Sequence, residues 1–293
     1  MVEEYAPRSA VYEALPDFLS SLQRWDAASQ RLMIPESSLW VQLLASTGTQ
    51  GFERSSTGLE YNSDSLGVQL GGTTQVNDNL DMGVALHHVA GSASVNAPTK
   101  GGSLHVEGLG VAVEALWSLE RDWYANARFS ITDYEVDLSS DEAGRLKSEL
   151  EALGHTLGLE AGKRMQIRDA LHWTPRTWLE RSRITLDGFT DTVNSRVSFS
   201  DKNRLTGGIG VLLETPAISG SLDLEQRFGN TKHTTRISGE ELGAKPAQRS
   251  LLLGLKSTWL RGALRYSAEF NVRNELGSGG EEYAGFIQVG MDY

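Results

Sequence analysis

The 293-residue sequence contains no cysteine, only 7 prolines and no long apolar run. The lack of cysteine excludes a disulfide framework and any thiolate metal site. No stretch approaches the roughly 20 apolar residues that a membrane-spanning helix needs. The first residues, Met1–Tyr5, are acidic and lack the apolar core of a secretory signal peptide. The alternatives are a cytoplasmic protein and a fragment of a longer precursor, and we expect the fragment, with Met1 as an added start.

The overall composition excludes one class of partner and leaves one class of fold open. A net charge of −11 argues against nucleic acid as a partner. Only 39% of the residues are apolar, which taken alone suggests a soluble protein. That inference does not hold for membrane β-barrels, because their apolar lipid-facing and polar lumen-facing residues alternate and the mean hydropathy is therefore low. The 31 glycines suit a chain of many strands and turns.

The N-terminal segment has a helical pattern. Between Val11 and Leu32, apolar residues recur every three or four positions, which predicts one amphipathic helix. Pro16 is expected at its entry or at a kink, and Pro35 is expected to end it. Residues 1–35 are therefore assigned to a linker and helix, and residues 36–293 to a second unit.

After Ser38 the apolar period changes from that of a helix to two, and it remains two to the C-terminus. A period of two is typical of strands with one apolar face. Several runs are longer than the average strand, which has roughly five or six residues. Twelve runs are predicted, at about residues 39–50, 65–76, 80–92, 103–118, 123–136, 148–165, 172–185, 203–215, 219–234, 248–259, 262–273 and 282–293.

The connections between these runs alternate in length. Short ones fall near residues 77–79, 119–122, 166–171, 216–218 and 260–261, and long polar ones fall near 51–64, 93–102, 137–147, 186–202, 235–247 and 274–281. Short turns at one rim and long loops at the other are the arrangement of outer-membrane barrels. A soluble sandwich or lipocalin-like barrel is the alternative, since alternation alone does not decide which face points outward.

Two further features favour the membrane. The polar faces are rich in glycine and small residues, which suits a lumen packed around another segment. Aromatic residues gather at strand ends, as in interfacial girdles, namely at Trp40, Trp117, Trp123, Trp173, Trp259 and Tyr293. We predict an all-β transmembrane fold, a single closed antiparallel β-barrel of about twelve strands that follows an N-terminal α-helix.

The sequence resembles the autotransporter β-domain, the translocator of type V secretion. The resemblance covers nearly the whole chain and rests on the order and spacing of short segments. These are Tyr5–Pro16, Leu39–Leu43 with Thr47–Gln50, Gly158–Arg164, Trp173–Arg176, Ser182–Phe189 and the terminal Gly290–Tyr293. Family members most often end in phenylalanine, and Tyr293 keeps the aromatic character.

The resemblance implies a location and a set of partners. It implies a monomeric twelve-stranded barrel with the N-terminal α-helix in its lumen. It places this barrel in the outer membrane of a Gram-negative bacterium, in contact with outer-membrane lipid and the barrel-assembly machinery. It implies export and anchoring of an N-terminal passenger that is absent from this chain, with no cofactor. It also implies a C-terminal insertion signal at Val289, Met291 and Tyr293.

Charged residues on the predicted inward faces are candidates for holding the helix. Buried charges are costly unless they are paired, so a helix inside a lumen needs polar partners. We hypothesise that ion pairs fix the helix and seal the pore; a water-filled lumen with solvated charges is the alternative. The helix offers Asp17, Arg24, Asp26 and Arg31, and the wall offers Glu114, Arg128, Glu160, Arg164, Arg176, Glu180, Asp223, Glu225, Arg227, Arg265 and Glu269.

Catalysis is not expected. No asparagine precedes Asn62, so self-cleavage through an asparagine in the helix is not predicted. There is no G-x-S-x-G nucleophile elbow, and Ser63–Leu66 resembles a lipase block only superficially. His87 and His88 are neighbours on one strand and point to opposite faces, so they cannot share a metal.

Two other functional classes stay open on these grounds. One is a self-contained outer-membrane pore for small solutes. The other is a soluble β-barrel that binds carbohydrate or lipid, which would be extracted without detergent.

Overall fold

The computed structural model describes residues 2–29, 38–98, 101–200, 202–229 and 233–292. It contains one α-helix in these residues, α1 (Val2–Ser29), followed by a large β-barrel and a smaller sheet. The barrel strands are β1 (Ser38–Gln50), β3 (Glu60–Asn77), β4 (Leu80–Asn96), β5 (Gly102–Ser118), β6 (Trp123–Ser140), β7 (Gly144–Lys163), β9 (Leu171–Leu186), β12 (Lys202–Glu214), β13 (Ile218–Phe228), β16 (Arg249–Arg261), β17 (Leu264–Leu276) and β18 (Glu281–Asp292).

The barrel is closed, and each of its strands pairs antiparallel with its neighbours. β1 pairs with both β3 and β18, so the first and last strands of the chain lie side by side. The pairing of β9 with β12 completes the circle. A short strand, β8 (Met165–Arg168), extends the β7–β9 hairpin. The predicted fold class, a closed antiparallel barrel of twelve strands with one N-terminal helix, is confirmed.

The orientation of the two faces is also settled. On β3, Leu66 and Leu70 are 63% and 57% exposed, whereas Gln69 between them is 1% exposed. The apolar face therefore points outward and the polar face points into the lumen. This is the pattern of a barrel whose outer surface contacts lipid rather than water. Among the described residues, no helix combines the length and apolarity needed to cross a bilayer.

Several predicted boundaries differ from the structure. The strand expected at 219–234 ends at Phe228, because Gly229 has a φ of +80° and turns the chain away from the barrel. The loop expected at 137–147 is mostly strand, since β6 and β7 extend to Ser140 and from Gly144. The helix begins nine residues earlier than predicted and contains Pro16 within it. Residues 30–32 and Pro35, the predicted helix end, lie outside the described residues.

The long connections form a second sheet that the sequence did not predict. Its strands are β2 (Arg54–Ser55), β10 (Phe189–Thr190), β11 (Arg196–Phe199), β14 (His233–Ile237) and β15 (Glu240–Lys245), in the order β10-β11-β14-β15-β2. All five strands come from connections at one rim, which we call the long-loop rim. The opposite rim, where tight turns such as Asp78–Asn79 join the strands, is the short-turn rim.

Tryptophans mark the short-turn rim. Trp117, Trp123, Trp173 and Trp259 lie at the ends of strands there and are 38–54% exposed, as an interfacial girdle requires. The prediction was wrong for Trp40, which is 8% exposed and packs inward against Ala85 and Ala112. Trp40 shares the inward face of β1 with Gln42, so the alternation itself excludes it from the girdle. Tyr293 lies outside the described residues.

Candidate functional site

The helix is enclosed by the barrel. Every residue from Ser9 to Gln23 is buried, on all sides of the helix. A helix on a protein surface would keep one polar face exposed, so burial all round places this segment inside the lumen. The enclosed stretch lies toward the long-loop rim, where α1 contacts β14 and β15 of the second sheet as well as the barrel wall.

Apolar contacts surround the enclosed part of α1. Leu15, Phe18, Leu19 and Leu22 are at most 2% exposed and belong to one core cluster with inward residues of the wall. Those wall residues include Leu104, Val106, Tyr134, Val136, Leu138, Leu146 and Leu150. Two aromatic edge contacts add to the cluster, between Phe18 and Tyr61 at 6.0 Å and between Tyr12 and Phe189 at 5.8 Å.

The barrel wall reverses its polarity part-way along the strands. On β6, Phe129 points outward near the middle of the barrel and the buried Arg128 points inward. Nearer the long-loop rim, Tyr134 and Val136 point inward and Glu135 points outward. A strand that leaves the lipid meets water on its outer face, so its polar face turns outward. The outer part of the barrel therefore has an apolar interior, and α1 fills it.

Glu13 joins the helix to the first long connection. Its carboxylate accepts hydrogen bonds from the backbone N–H groups of Ser56 at 2.8 Å and Thr57 at 3.2 Å. The hydroxyls of Ser55 at 3.2 Å and Thr57 at 2.6 Å also donate to it. Four donors compensate the burial of this charge, because hydrogen bonds to a charged group are stronger than neutral ones.

Asp17 lies one turn further along the same helix and meets two groups from different elements. The Tyr61 hydroxyl of β3 donates to it at 3.1 Å, and Nε2 of His233 on β14 lies 3.4 Å from its other oxygen. Asp17 is 1% exposed and His233 is 7% exposed. The carboxylate thus connects α1 to the barrel wall and to the second sheet at once.

Asp191 holds the helix from the connection between β10 and β11. It accepts a hydrogen bond from the Tyr12 hydroxyl at 2.7 Å and lies 3.7 Å from the Arg8 guanidinium. Backbone N–H groups of Val193 and Ser195 donate to its other oxygen. Burial raises the pKa of Tyr12, and the hydrogen bond to the Asp191 carboxylate raises that pKa further, so the phenol stays protonated and donates.

Most of the predicted lumen charges make ion pairs or hydrogen bonds along the inner face of the barrel wall, and two of the ion pairs join two predicted residues. Arg128 lies 3.0 Å from Glu180, and both are about 6% exposed. Arg176 makes a two-pronged contact with Asp223, at 2.7 and 3.0 Å. The other contacts are Arg227–Glu275 at 2.8 Å, Arg273–Glu225, Arg164–Glu214 at 3.7 Å, Tyr124–Glu160 at 2.8 Å, Asn126–Glu114 and Asn271–Glu269 at 2.8 Å.

Of the four helix charges proposed from the sequence, the structure describes the side chain of Asp17 alone. The side chains of Arg24 and Asp26, and the whole of Arg31, lie outside the described residues. Their pairing with Glu114, Arg128, Glu160, Arg164, Arg176 or Glu180 therefore stays a prediction. The helix carboxylates at Glu13 and Asp17 stand four residues apart on one face, and this spacing within an apolar run is a signal that could have identified both. Only Asp17 was named from the sequence.

The part of the lumen near the short-turn rim contains a cavity of about 500 Å³. Residues of both charges line it, including Arg164, Arg176, Lys256, Arg265 and Glu269. The cavity borders the turn at residues 215–217, which places it at the end of the lumen away from the enclosed part of α1. Among the described residues, no group of three or more His, Asp or Glu side chains is arranged to hold a metal ion.

The C-terminal strand places two of the three residues of the predicted insertion signal on its outer face. Val289 and Met291 are 39% and 46% exposed and point to the lipid side of β18. They pair with Val41 and Leu39 of β1. The third residue of the predicted signal, Tyr293, lies outside the described residues, and the role of all three stays a prediction.

Comparison with known proteins identifies the family. The model of the autotransporter β-domain matches residues 39–280. The chain belongs to the autotransporter β-domain family. It is therefore a barrel of the Gram-negative outer membrane, built on the translocator fold of type V secretion. The resemblance described from the sequence is confirmed.

Individual proteins resemble this β-domain in sequence or in fold. The chain is 31% identical to the adhesin BmaC autotransporter of Brucella suis biovar 1 (strain 1330) over 136 residues. These residues are 46% of this chain and 4% of that protein. The translocator domain of autotransporter NalP from Neisseria meningitidis superposes with a TM-score of 0.79 at 14% identity, over 97% of this chain and 99% of that one. The transport unit of the autotransporter AIDA-I from Escherichia coli gives a TM-score of 0.77 at 14% identity, over 99% and 100%.

Proposed function

We propose that this β-domain exports a passenger joined ahead of α1 and then anchors it at the cell surface. The observation that carries the proposal is the path of the chain. Tyr12 lies at the long-loop rim beside Asp191, whereas β1 starts at the short-turn rim, where Ser38 pairs with Thr73 and Asp292. Between these two points in the sequence, the buried residues 13–23 of α1 lie inside the lumen. A segment ahead of α1 leaves at the long-loop rim, the outer side of such barrels.

The lumen suits the passage of an unfolded chain. It encloses one helix, whose diameter with side chains is about 10–12 Å. A folded passenger domain is wider than that, so the passenger crosses extended or as a single helix. Paired charges such as Arg128–Glu180 and Arg176–Asp223 keep the wall polar without leaving isolated ions on it. The process proposed is transport, with no catalytic step in the barrel.

Anchoring follows from the contacts of α1 once it occupies the lumen. Glu13, Asp17 and Tyr12 join it to the first long connection, to His233 and to Asp191. We propose that Arg24, Asp26 and Arg31 continue this role toward the short-turn rim. The charges that line the cavity there, including Arg164, Arg176 and Glu180, are the partners we expect.

The same proposal includes the partners of assembly. We expect the barrel-assembly machinery to recognise the outward face of β18, with Val289 and Met291, together with the terminal Tyr293. The domain then works as a monomer surrounded by outer-membrane lipid. In this proposal the linker and helix (1–35) anchor the passenger, and the barrel (36–293) provides the path through the membrane.

A reporter domain fused ahead of Val2, behind a secretory signal peptide, tests the export step. In intact cells, added protease should remove the reporter while the barrel stays heat-modifiable on a gel. A matched fusion with Leu15 and Leu19 changed to Asp should insert less stably, because those side chains are buried in the lumen. A reporter that stays protected in intact cells, beside a correctly folded barrel, would contradict the proposal.

A second candidate is passage of small solutes, favoured by the cavity of about 500 Å³ beside charged wall residues. The two functions differ in what α1 does. A translocator holds α1 in place as a plug, so the intact domain should conduct poorly. A solute pore should conduct steadily with α1 present, and single-channel recording of the intact chain distinguishes them.

A further inference from the structure

The lipid-facing band has the same height on four strands. In each of these strands, a girdle tryptophan and a charged residue lie ten residues apart on the same outer face, with the charged residue toward the long-loop rim. Ten residues of strand span about 33 Å, which at the usual tilt is about 25 Å of height. That height matches the apolar band of outer-membrane barrels. The pairs are Trp117 and Glu107 on β5, Trp123 and Asp133 on β6, Trp173 and Arg183 on β9, and Trp259 and Arg249 on β16.

The outer edge of this band is charged unevenly. On β5 and β6 it carries Glu107 and Asp133, whereas on β9 and β16 it carries Arg183 and Arg249. Arg181, two residues nearer the membrane centre on β9, is also exposed. The phosphate-bearing headgroups of a membrane lie at this depth, so the β9–β16 side offers them cations and the β5–β6 side offers them anions.

Neighbouring amide side chains hold two of these arginines along the outer surface. Nε of Arg181 donates to Asn203 of β12 at 3.1 Å. Nε of Arg249 donates to Gln226 of β13 at 2.9 Å. Both contacts use Nε and lie on the exposed surface, so they leave the guanidinium NH₂ groups of Arg181 and Arg249 able to donate to a ligand.

An apolar groove of about 710 Å³ lies directly below these arginines on the outer surface. It runs over β6, β7, β9, β12 and β13 and ends at Trp117 of β5, near the short-turn rim. Small residues such as Ala127, Ala161 and Gly207 leave the space, and Leu179, Ile209 and Phe228 border it. Leu179 immediately precedes Arg181 on the outer face of β9, and Gln226 both lines the groove and contacts Arg249. The groove therefore runs up to the basic edge.

We propose that this surface binds one phosphorylated, multiply acylated glycolipid of the outer leaflet. An acyl chain fills the groove, and Arg181 and Arg249 bind phosphates of the headgroup, for which a guanidinium has a matching geometry. β9 and β16 are three inter-strand steps apart, about 14 Å, which suits a headgroup with two separated phosphates. The assignment rests on the orientation used in the proposed function, with the long-loop rim outside.

A second groove in the same barrel provides the contrast. It measures about 610 Å³ and is lined by apolar residues such as Leu86, Leu109 and Val111. Its polar lining residues include Asp133, Glu151 and Asp187. These carboxylates repel phosphate, so we expect no specific phosphorylated lipid there. Apolar space is common to both grooves, and the charge at the edge is what separates them.

Native mass spectrometry of the whole chain, folded in detergent, tests the site. The added lipids are bisphosphorylated lipid A, its dephosphorylated form and phosphatidylglycerol. We expect one tightly held lipid A. The variant Arg181→Gln/Arg249→Gln should bind it about tenfold or more weakly, because it loses the charge-assisted hydrogen bonds to the phosphates. The matched variant Asp133→Asn/Glu151→Gln should bind it as the unchanged chain does.

The variant Ala161→Phe separates the acyl contact from the phosphate contact. Ala161 pairs with Ala125 and Thr177, so the larger ring fits the outer surface and occupies the groove. It should weaken both forms of lipid A, whereas the arginine variant should weaken only the phosphorylated form. Equal binding of lipid A by the arginine variant, or equal binding of dephosphorylated lipid A or phosphatidylglycerol by the unchanged chain, would overturn the proposal.

Two separate readouts keep this inference distinct from export. Heat-modifiable migration shows that each variant has folded, and the protease-accessible reporter shows whether export occurs. A variant that exports normally but loses lipid A supports the site. A chain that binds lipid A as proposed but fails to export contradicts the transport proposal and leaves the lipid site standing.

Discussion

Tyr12 and Asp191 are 179 residues apart in the sequence, and the Tyr12 hydroxyl lies 2.7 Å from a carboxylate oxygen of Asp191. The first residue belongs to the enclosed helix, and the second to a connection between strands at the long-loop rim. Both are buried, so water cannot replace either partner. This contact makes the position of the helix and the fold of an outer connection depend on each other.

Asp191→Ala should therefore loosen both elements. It leaves the Tyr12 hydroxyl and two backbone N–H groups without their acceptor, and each buried unsatisfied group costs about 1–3 kcal/mol. The temperature at which the folded band disappears on a gel should fall clearly. Tyr12→Phe is the matched control, because Asp191 keeps its backbone donors there and the fall should be smaller. Equal falls for the two variants would contradict this account.

Glu13→Ala should release the first long connection. The Glu13 carboxylate accepts four hydrogen bonds from Ser55, Ser56 and Thr57, all of which belong to this connection. Limited proteolysis should cut the region of residues 51–59 faster than in the unchanged chain. Glu60→Ala, at an exposed position beside the same connection, should leave the cutting rate unchanged.

The Arg128–Glu180 pair should show strong coupling. Removing one partner of a buried pair leaves a bare charge and costs about 3–5 kcal/mol. Arg128→Met and Glu180→Gln should each lower the midpoint of urea unfolding in detergent. The double variant should lose less than the two single losses added together. Additive losses would show that the two side chains are solvated independently.

The lipid-facing band can be mapped by placing a charge at two depths. Leu253 lies near the middle of the outer face of β16, between Trp259 and Arg249. Leu253→Arg should destabilise folding into vesicles by about 2–4 kcal/mol, and an arginine near the edge by about 0–1 kcal/mol. Glu107→Arg provides the edge variant. Similar effects at both positions would place the band elsewhere.

Removing residues 1–35 should open the lumen. Residues 9–23 fill the part near the long-loop rim, and their removal joins that space to the cavity near the short-turn rim. Single-channel conductance in planar bilayers should rise severalfold over that of the full chain. A chain that carries Leu39→Ala alone is the control for handling, since that residue faces outward. Unchanged conductance after deletion would exclude α1 as a plug.

The barrel was predictable because its signals are local. Alternating runs such as the one from Leu66 to Val76 predict a strand from a few neighbouring residues. The alternation of short and long connections added the two rims. The leading helix was predictable for the same reason, from three- and four-residue spacings after Val11.

The features that were missed depend on contacts between distant parts of the chain. Nothing near Asp191 indicates that it meets Tyr12, because that pairing exists only once the barrel has closed. The reversal of polarity on β6 between Phe129 and Val136 was missed because each part of the strand alternates normally. Trp40 was assigned to the girdle by its position at a strand end, although its place in the alternation points it inward.

The pairing of β1 with β18 sets the order of events during folding. Until the last strand, β18 (Glu281–Asp292), is in place, the curved sheet has two unpaired edges. Such edges readily join other chains. Closing a loop of this size is also slow compared with forming the hairpins. The hairpins can therefore form early and reversibly, while completion waits for the C-terminus. A cell that makes this protein must shield those two edges during that interval, and the time of greatest risk of aggregation ends when Val289 meets Val41.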